Sequence, residues 1–215
     1  IQRGDWLSAT PPARYRALSV ELHVSKDFPR AVKHWTPVHV YHATHHCQGR
    51  LALAPGQRLE PGQTAQIDLV LDESIYCHRD DRLILRDHGL DTTLGGGSVI
   101  YAETIAPRRR QGVRRQQHIA AYALKTPKDC LAALLQAGIT DLQLFRDFWH
   151  LADADYTTLV NEFVLHHSGD FALSDEHWLK HKAALLEQFT ASPDEALREN
   201  QLLDTIPSAF RQALL

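Results

Sequence analysis

The chain has 215 residues, of which 44% are hydrophobic and 23% charged, a composition typical of globular proteins with one large or two ordinary domains. We predict neither a membrane span nor a secretory signal, because no run of about 18 apolar residues occurs and the first residues lack the order of a signal peptide. The net charge of −3 is unevenly spread: −1 over 1–107, +6 over 108–125 and −8 over 126–215. This distribution predicts two domains joined by a basic linker, with the boundary near Pro107.

The first half of the chain alternates apolar and polar residues, which is typical of strands with one buried face. Val20, Leu22 and Val24 are the clearest example. Turns that contain proline and glycine separate the alternating segments. About seven short strands are predicted, at 17–25, 37–41, 50–54, 65–71, 75–77, 82–86 and 98–101. They indicate an all-β barrel or sandwich, and the pattern does not decide between the two.

Three consecutive glycines, Gly95, Gly96 and Gly97, first suggest a phosphate-binding loop. Such a loop leads into Lys-Ser/Thr and a helix, whereas these glycines lead into the strand-like sequence SVIY. No Gly-Lys pair occurs anywhere in the chain. We therefore predict a bulge or a close approach of two backbones within a β-structure.

Four histidines lie within eight residues, at His39, His42, His45 and His46, and imidazole is a good ligand for zinc or nickel. On a strand, His39 and His42 face opposite sides, and we place His45 and His46 in the turn before Gly49. The pattern therefore favours ordinary surface or core histidines and predicts no metal site. A His-rich, metal-dependent hydrolase is kept as an alternative that metal analysis of the purified protein would test.

No motif for nucleophilic catalysis is present. The chain lacks a Gly-x-Ser-x-Gly sequence, and Cys47, Cys77 and Cys130 have neither disulfide nor zinc spacing. We interpret these cysteines as core or strand thiols of a protein in a reducing compartment, the cytoplasm. No catalytic site is expected in these 215 residues.

From about Gly112 the apolar residues recur with a helical period. We predict one helix over 113–124 and a second that begins after the N-cap Thr126. A third is predicted over 141–151, and a fourth begins at Asp155 as its cap and continues to residue 165.

The region after the fourth helix is predicted to contain one short strand and further helices. We interpret His166 and His167 as cations at the end of that helix. A strand is predicted over 171–173, a longer helix over 174–189, and another helix after the capping sequence at Ser192. Helices followed by a brief β-segment are compatible with winged-helix modules, although the acidic balance disfavours generic DNA binding.

The basic linker carries five arginines, Arg108, Arg109, Arg110, Arg114 and Arg115. They could hold a nucleic-acid backbone. Two alternatives stay open, a solvated linker and a cationic strap docked on the neighbouring domains, since runs of charge are usually solvated.

Five segments in the first half resemble one protein family in order and spacing. They are RGDWL at 3–7, WTPVHVY at 35–41, GRLAL at 49–53, DRLILRD at 81–87 and TLGGGSVI at 93–100. The chain thereby resembles the bacterial selenocysteine-specific elongation factor (SelB) family, in which a Pro-Arg-Arg joint and helical domains follow the barrel. The last two segments are similar in form to a matching pair of strands in elongation factor Tu.

The resemblance implies a multidomain fold, with a translation-factor domain III barrel followed by mainly α winged-helix modules. The implied divisions are the last strand of domain II at 1–8, the barrel at 9–107, the basic linker at 108–115, a first winged helix at 116–173 and an incomplete second one at 174–215. The chain contains no methionine, even at position 1, so we expect an internal piece of a longer polypeptide. The GTPase domain would lie upstream, and GTP with Mg²⁺ would be cofactors of that parent protein and not of this fragment.

The resemblance also implies a binding role. In this family the barrel lies along the acceptor and T stems of an aminoacylated tRNA and contacts the backbone. By motif, the implied tRNA-binding residues are Arg86, Asp87, His88, Gly89, Thr93 and Gly95. An arginine and the backbone N–H groups of a glycine turn suit contacts with phosphate, although an ion pair at the strand end is the alternative for Arg86 and Asp87.

The partners implied by the family are selenocysteinyl-tRNA, the ribosome and, through a downstream module, an mRNA hairpin. The parent would deliver the tRNA at recoded UGA codons under GTP control, and the acidic helical block would be a spacer arm. We expect a cytoplasmic monomer with no membrane partner. A winged-helix DNA-binding regulator with a β sensor domain is the main alternative, and it predicts a basic recognition helix.

Overall fold

The computed structural model describes residues 13–89, 92–103 and 112–191. The chain divides into two compact units, 1–123 and 124–215. The described part of the first unit is a β-barrel with one helix, and that of the second combines helices with a small sheet. The proposed end of a domain II at 1–8, the arginines at 108–110 and the segment from 192 onward lie outside the described residues.

Six antiparallel strands form a closed barrel in the order β1-β4-β3-β2-β5-β6. Their bounds are β1 (Arg14–Val24), β2 (Thr36–His42), β3 (His45–Ala52), β4 (Thr64–Tyr76), β5 (Arg82–Asp87) and β6 (Thr93–Glu103). The expectation of an all-β barrel or sandwich is resolved in favour of a barrel, because β6 pairs back onto β1. The number of strands is smaller than predicted, since 65–71 and 75–77 are parts of one continuous strand, β4.

Alternating residues of all six strands fill the barrel with branched aliphatic side chains. Those with at most 1% exposure include Leu22, Val40, Leu51, Leu69, Leu85 and Val99. Each such side chain contributes about 1.5–3 kcal/mol by leaving water. All three cysteines are buried as well, and burial, with smaller contributions from Glu73 and Asp72, raises the pKa of Cys47 to about 12.

The three glycines lie in β6, where the backbones of β6 and β1 approach closely. A Cβ atom on Gly95 would lie 2.2 Å from the His23 carbonyl oxygen, and one on Gly97 would lie 2.2 Å from the Glu21 carbonyl oxygen. The prediction of a close backbone approach is therefore confirmed.

The helix α1 (Val113–Tyr122) belongs to the barrel unit and not to the helical block. Its buried residues Arg115, Ile119 and Tyr122 share one face, and the Tyr122 ring stacks on Tyr101 of β6 at 5.0 Å between centroids. The division between the two units therefore lies at the end of α1, and not near Pro107 or at residue 116 as predicted. The prediction followed the change in composition, whereas the packing of α1 against β6 assigns this helix to the barrel unit.

The second unit contains four helices and a three-stranded sheet among its described residues. Their bounds are α2 (Pro127–Ala137), β7 (Thr140–Asp141), α3 (Leu142–Phe148), α4 (Asp153–Val160), β8 (Leu165–Ser168), β9 (Phe171–Ser174) and α5 (Asp175–Ala191). The sheet order is β7-β9-β8. Thr126 caps α2 as predicted, since its side chain accepts a hydrogen bond from the Asp129 N–H. None of the described helices is long and apolar enough to span a membrane.

Three local predictions are wrong. His45 and His46 begin β3, and the turn before them contains Ala43, whose φ is 50°. His166 and His167 lie in β8 and not at a helix end, because α4 stops at Val160. The cap predicted at Asp155 is inside α4, which begins two residues earlier.

Candidate nucleic-acid interface

The outer surface of the barrel carries a row of polar side chains across four neighbouring strands. Thr93 of β6 is opposite Arg86 of β5, Arg86 is opposite His39 of β2, and His39 is opposite Gln48 of β3. Opposed residues of antiparallel strands point to the same side of the sheet, and the next residues along the strands, such as Val40 and Leu85, are buried. We call these four residues the polar row.

A β-bulge brings Thr93 into the polar row. The pairing of β5 with β6 runs Leu85 to Gly95 and then Arg86 to Thr93, so β6 has one additional residue at this point. Leu94 and Gly95 are consequently both buried. Strict alternation would instead place Thr93 on the same side as Gly95, inside the barrel.

Three imidazoles extend the polar row along the surface. His39 Nδ1 lies 3.1 Å from His46 Nε2, and His39 Nε2 lies 2.9 Å from His88 Nδ1. The neighbouring rings stack with centroids 5.2 and 4.7 Å apart, and His46 also stacks on Tyr41 at 4.6 Å. We call His46, His39 and His88 the histidine chain. It presents imidazole nitrogens and an aromatic surface at the same place as Arg86, a combination suited to phosphate and ribose contacts.

Asp87 fixes the turn that follows β5 and does not face outward. Its carboxylate is 1% exposed and accepts hydrogen bonds from Arg30 at 2.9 Å and from the Gly89 N–H at 2.9 Å. A strand-end ion pair is the alternative prediction for Arg86 and Asp87, and the structure gives Asp87 a different ion-pair partner, Arg30. The exposed loop residue His88 is thereby held next to His39.

The six predicted tRNA contacts thus separate into two groups. Arg86, His88 and Thr93 contribute to the outer surface, with the exposed Gly89 beside them. Asp87 and Gly95 do not, because the first is buried in the turn and the second is enclosed against the backbone of β1.

The two linker arginines within the described residues also differ in their exposure to solvent. Arg114 is exposed on α1, whereas Arg115 is buried. The Arg115 guanidinium donates to Asp68 at 2.9 Å and to Glu103 at 2.6 Å. The interpretation of Arg115 as a solvated or nucleic-acid-binding linker residue is corrected accordingly, because its charge is already neutralised within the barrel unit.

A shallow hollow of about 180 Å³ lies next to the polar row. Gln48, Arg50, Asp72 and His88 contribute to its lining. Arg50 is exposed, and its guanidinium makes no hydrogen bond or ion pair with any residue that the structure describes. It is therefore available to an anionic group at the edge of the hollow.

The motifs assign no RNA contact to four residues of this surface, His39, His46, Gln48 and Arg50, and the clustering of histidines suggests His39 and His46 only as metal ligands. The alternating parity of the predicted strands 37–41 and 50–54 already placed His39 and Arg50 opposite to the apolar residues. What was missing was the register between strands, which depends on pairing partners that are distant in the sequence.

Comparisons with known proteins agree on one family. The family model of the selenocysteine-specific elongation factor, β-barrel domain, matches residues 18–106. The selenocysteine-specific elongation factor of Escherichia coli (strain K12) is 31% identical over 150 residues, which are 67% of this chain and 22% of that protein.

Two further relatives carry the same name. The factor of Desulfomicrobium baculatum is 25% identical over 67% of this chain and 23% of its own length. That of Haemophilus influenzae (strain ATCC 51907 / DSM 11121 / KW20 / Rd) is 25% identical over 53% of this chain and 18% of its own length. The chain thus spans about a fifth of the length of the curated relatives it matches. These matches favour the elongation-factor hypothesis over the DNA-binding regulator.

Proposed function

The chain belongs, through its barrel, to the family of selenocysteine-specific elongation factors, and from this premise we propose that the barrel binds the backbone of selenocysteinyl-tRNA. The full-length factor would deliver this tRNA to the ribosome at UGA codons under GTP control. GTP hydrolysis, with Mg²⁺, would then be the task of another domain, and these 215 residues would have a binding role in the cytoplasm.

The polar row with the histidine chain is the observation that supports tRNA binding. It combines the hydrogen-bond donors of Arg86 and Gln48 with the hydroxyl of Thr93, all on one surface. Such groups recognise phosphates and ribose hydroxyls, which are present at every nucleotide and therefore position the RNA without reading its sequence. Arg50 adds a second guanidinium next to the same surface.

The two predicted contact residues that are not on the surface have a supporting role in this proposal. Asp87 holds the turn that presents His88. Gly95 allows the close strand pairing next to the bulge that exposes Thr93. The linker arginines at 108–110 and Arg114 stay predicted phosphate contacts, whereas Arg115 acts within the fold.

We infer that the second unit serves as a spacer arm and that its part from α2 to β9 is a winged-helix module, with an incomplete second module from residue 174. Its helix and strand order from α2 to β9 and its sheet order β7-β9-β8 support this assignment. The acidic excess of its sequence disfavours binding to RNA by repulsion. The mRNA hairpin would accordingly be bound by a module further along the factor.

A salt titration of tRNA binding tests the role of the polar row. For the 215-residue chain and its cognate tRNA, Arg86→Ala should weaken binding and reduce the slope of log affinity against log salt by about one, as for one lost phosphate contact. Arg50→Ala should have a similar effect. Arg58→Ala is the matched control, because Arg58 is an exposed arginine of the β3–β4 loop outside this surface. Unchanged slopes for both Arg86→Ala and Arg50→Ala would contradict the proposal.

A further inference from the structure

One end of the barrel brings together three side chains with different metal-binding atoms. His45 and Cys47 are two residues apart at the start of β3, so both point to its inner side. The pairing of β3 with β4 begins at Gly49 and Leu71, so Cys47 and Glu73, each two residues beyond this pair, lie at the same end of the two strands. An imidazole nitrogen, the thiol sulfur and a carboxylate oxygen of these residues all lie within 4.8 Å of one another.

The imidazole of His45 has an unsatisfied atom in this cluster. Its Nε2 is buried and has no hydrogen-bond partner. The nearest carboxylate oxygen, Glu73 Oε1, is 3.7 Å away, which is longer than a hydrogen bond. A buried nitrogen without a partner is unfavourable and calls for an explanation. The 3.7 Å between His45 Nε2 and Glu73 Oε1 is a separation that two ligands of a common ion can adopt with small side-chain movements.

We propose that His45, Cys47 and Glu73 bind a divalent transition-metal ion of the zinc class. Nitrogen, sulfur and carboxylate oxygen are the ligands that zinc uses in proteins, and a thiolate together with an imidazole selects against magnesium and calcium. Three protein ligands leave a fourth position for water. On binding, the ion replaces the thiol proton of Cys47, which passes to the buffer.

This site is distinct from the histidine chain. His46 alternates with His45 along β3 and therefore lies on the outer side of the barrel. In the histidine chain the two short contacts use different nitrogens of His39, so its three imidazoles do not converge on one point. A bound ion at His45, Cys47 and Glu73 would connect the beginning of β3 to β4 and stabilise this end of the barrel.

Cobalt(II) is a suitable probe because a cobalt–thiolate bond has a charge-transfer absorption in the near ultraviolet. We expect the 215-residue chain to bind one Co²⁺ with this band and to lose the band when Zn²⁺ is added. Glu73→Gln and His45→Gln should each weaken Co²⁺ binding by about tenfold or more. Glu73 is 55% exposed, so its substitution leaves folding intact.

His46→Gln is the matched control, since it changes the neighbouring imidazole on the outer side and should leave the cobalt–thiolate band and the affinity unchanged. Absence of the band at saturating Co²⁺ would overturn the proposal. Binding that is insensitive to Glu73→Gln and His45→Gln but is lost in His46→Gln would also overturn it, because the ion would then be held by the surface histidines.

Discussion

Arg115 shows how the environment of a single residue changes its role. In the sequence it is the last of five arginines in a basic run, but its side chain is only 7% exposed. The guanidinium donates to both carboxylate oxygens of Asp68, to Glu103 and to the Ser19 hydroxyl. Burial raises the pKa of Glu103, and the hydrogen bond from Arg115 opposes that increase. A buried network of this kind is destabilised strongly when one partner is removed.

We therefore predict that Arg115→Ala lowers the free energy of unfolding by about 3–5 kcal/mol, since it leaves two poorly solvated carboxylates without their cation. Arg115→Lys should recover only part of this loss. The lysine keeps the positive charge, but its ammonium group cannot reproduce the guanidinium contacts. Urea unfolding measures both. Arg114→Ala, the exposed neighbour, is the control and should change the free energy of unfolding by no more than about 0.5 kcal/mol. A loss below about 1 kcal/mol in Arg115→Ala would contradict this account.

At the scale of elements, the docking of α1 on the barrel determines the protonation state of His118. Its ring lies edge-on to Tyr101 of β6 at 6.3 Å between centroids, and its Nε2 is buried without a hydrogen-bond partner. Burial, together with the positive charge of Arg114, lowers the pKa of His118 to about 4. The folded protein consequently keeps this imidazole neutral at pH values where the unfolded chain protonates it.

The lowered pKa of His118 makes the folded state less stable in acid. Above about pH 6.5 His118 is neutral in both states and has no effect, whereas between about pH 6.5 and 4 the unfolded state binds an additional proton, so stability falls as pH falls. We expect a loss of about 1–2 kcal/mol between pH 7 and pH 5 from this residue. Urea unfolding at both pH values should show a smaller loss in His118→Gln than in the unsubstituted chain. Equal losses in the two proteins would show that His118 is not buried in its neutral form.

At the scale of the whole molecule, the boundary found in the structure changes the charge assigned to each unit. Residues 1–123 contain 16 basic and 12 acidic residues, net +4, and 124–215 contain 7 basic and 14 acidic residues, net −7. The basic run at 108–115 thus belongs to the same unit as the barrel and is not a separate linker between two units. The cationic unit carries the proposed RNA-binding surface, and the anionic unit does not. This difference in charge agrees with an RNA-binding role for the first unit and a spacer role for the second.

This division predicts where RNA affinity lies. A chain of residues 1–123 should keep most of the tRNA affinity of the 215-residue chain at physiological salt, and a chain of 124–215 should show none, because its net charge opposes counterion release at phosphates. Equilibrium binding to labelled tRNA measures both. Circular dichroism of each piece provides the folding control, and binding of structured RNA by the folded 124–215 piece would contradict the spacer proposal.

The sequence by itself determined the elements whose signals are local. The alternation around Val20, Leu22 and Val24 gave a β-strand, the cap at Thr126 gave the start of a helix, and the motifs from 35 to 100 indicated the elongation-factor barrel. The strand and the helix start depend on residues close together in the chain, where burial period and capping act directly. The motifs indicated the barrel only through their resemblance to a known family.

Only the tertiary structure decided which side chains meet. A one-residue bulge puts Thr93 outside and Gly95 inside, and the register of β2 between β3 and β5 aligns His39 with Gln48 and Arg86. Pairing of distant strands sets these contacts, and a shift by one residue reverses the side on which every following residue lies. The same dependence on distant partners hid the burial of Arg115, whose carboxylate partner Asp68 is 47 residues away in sequence.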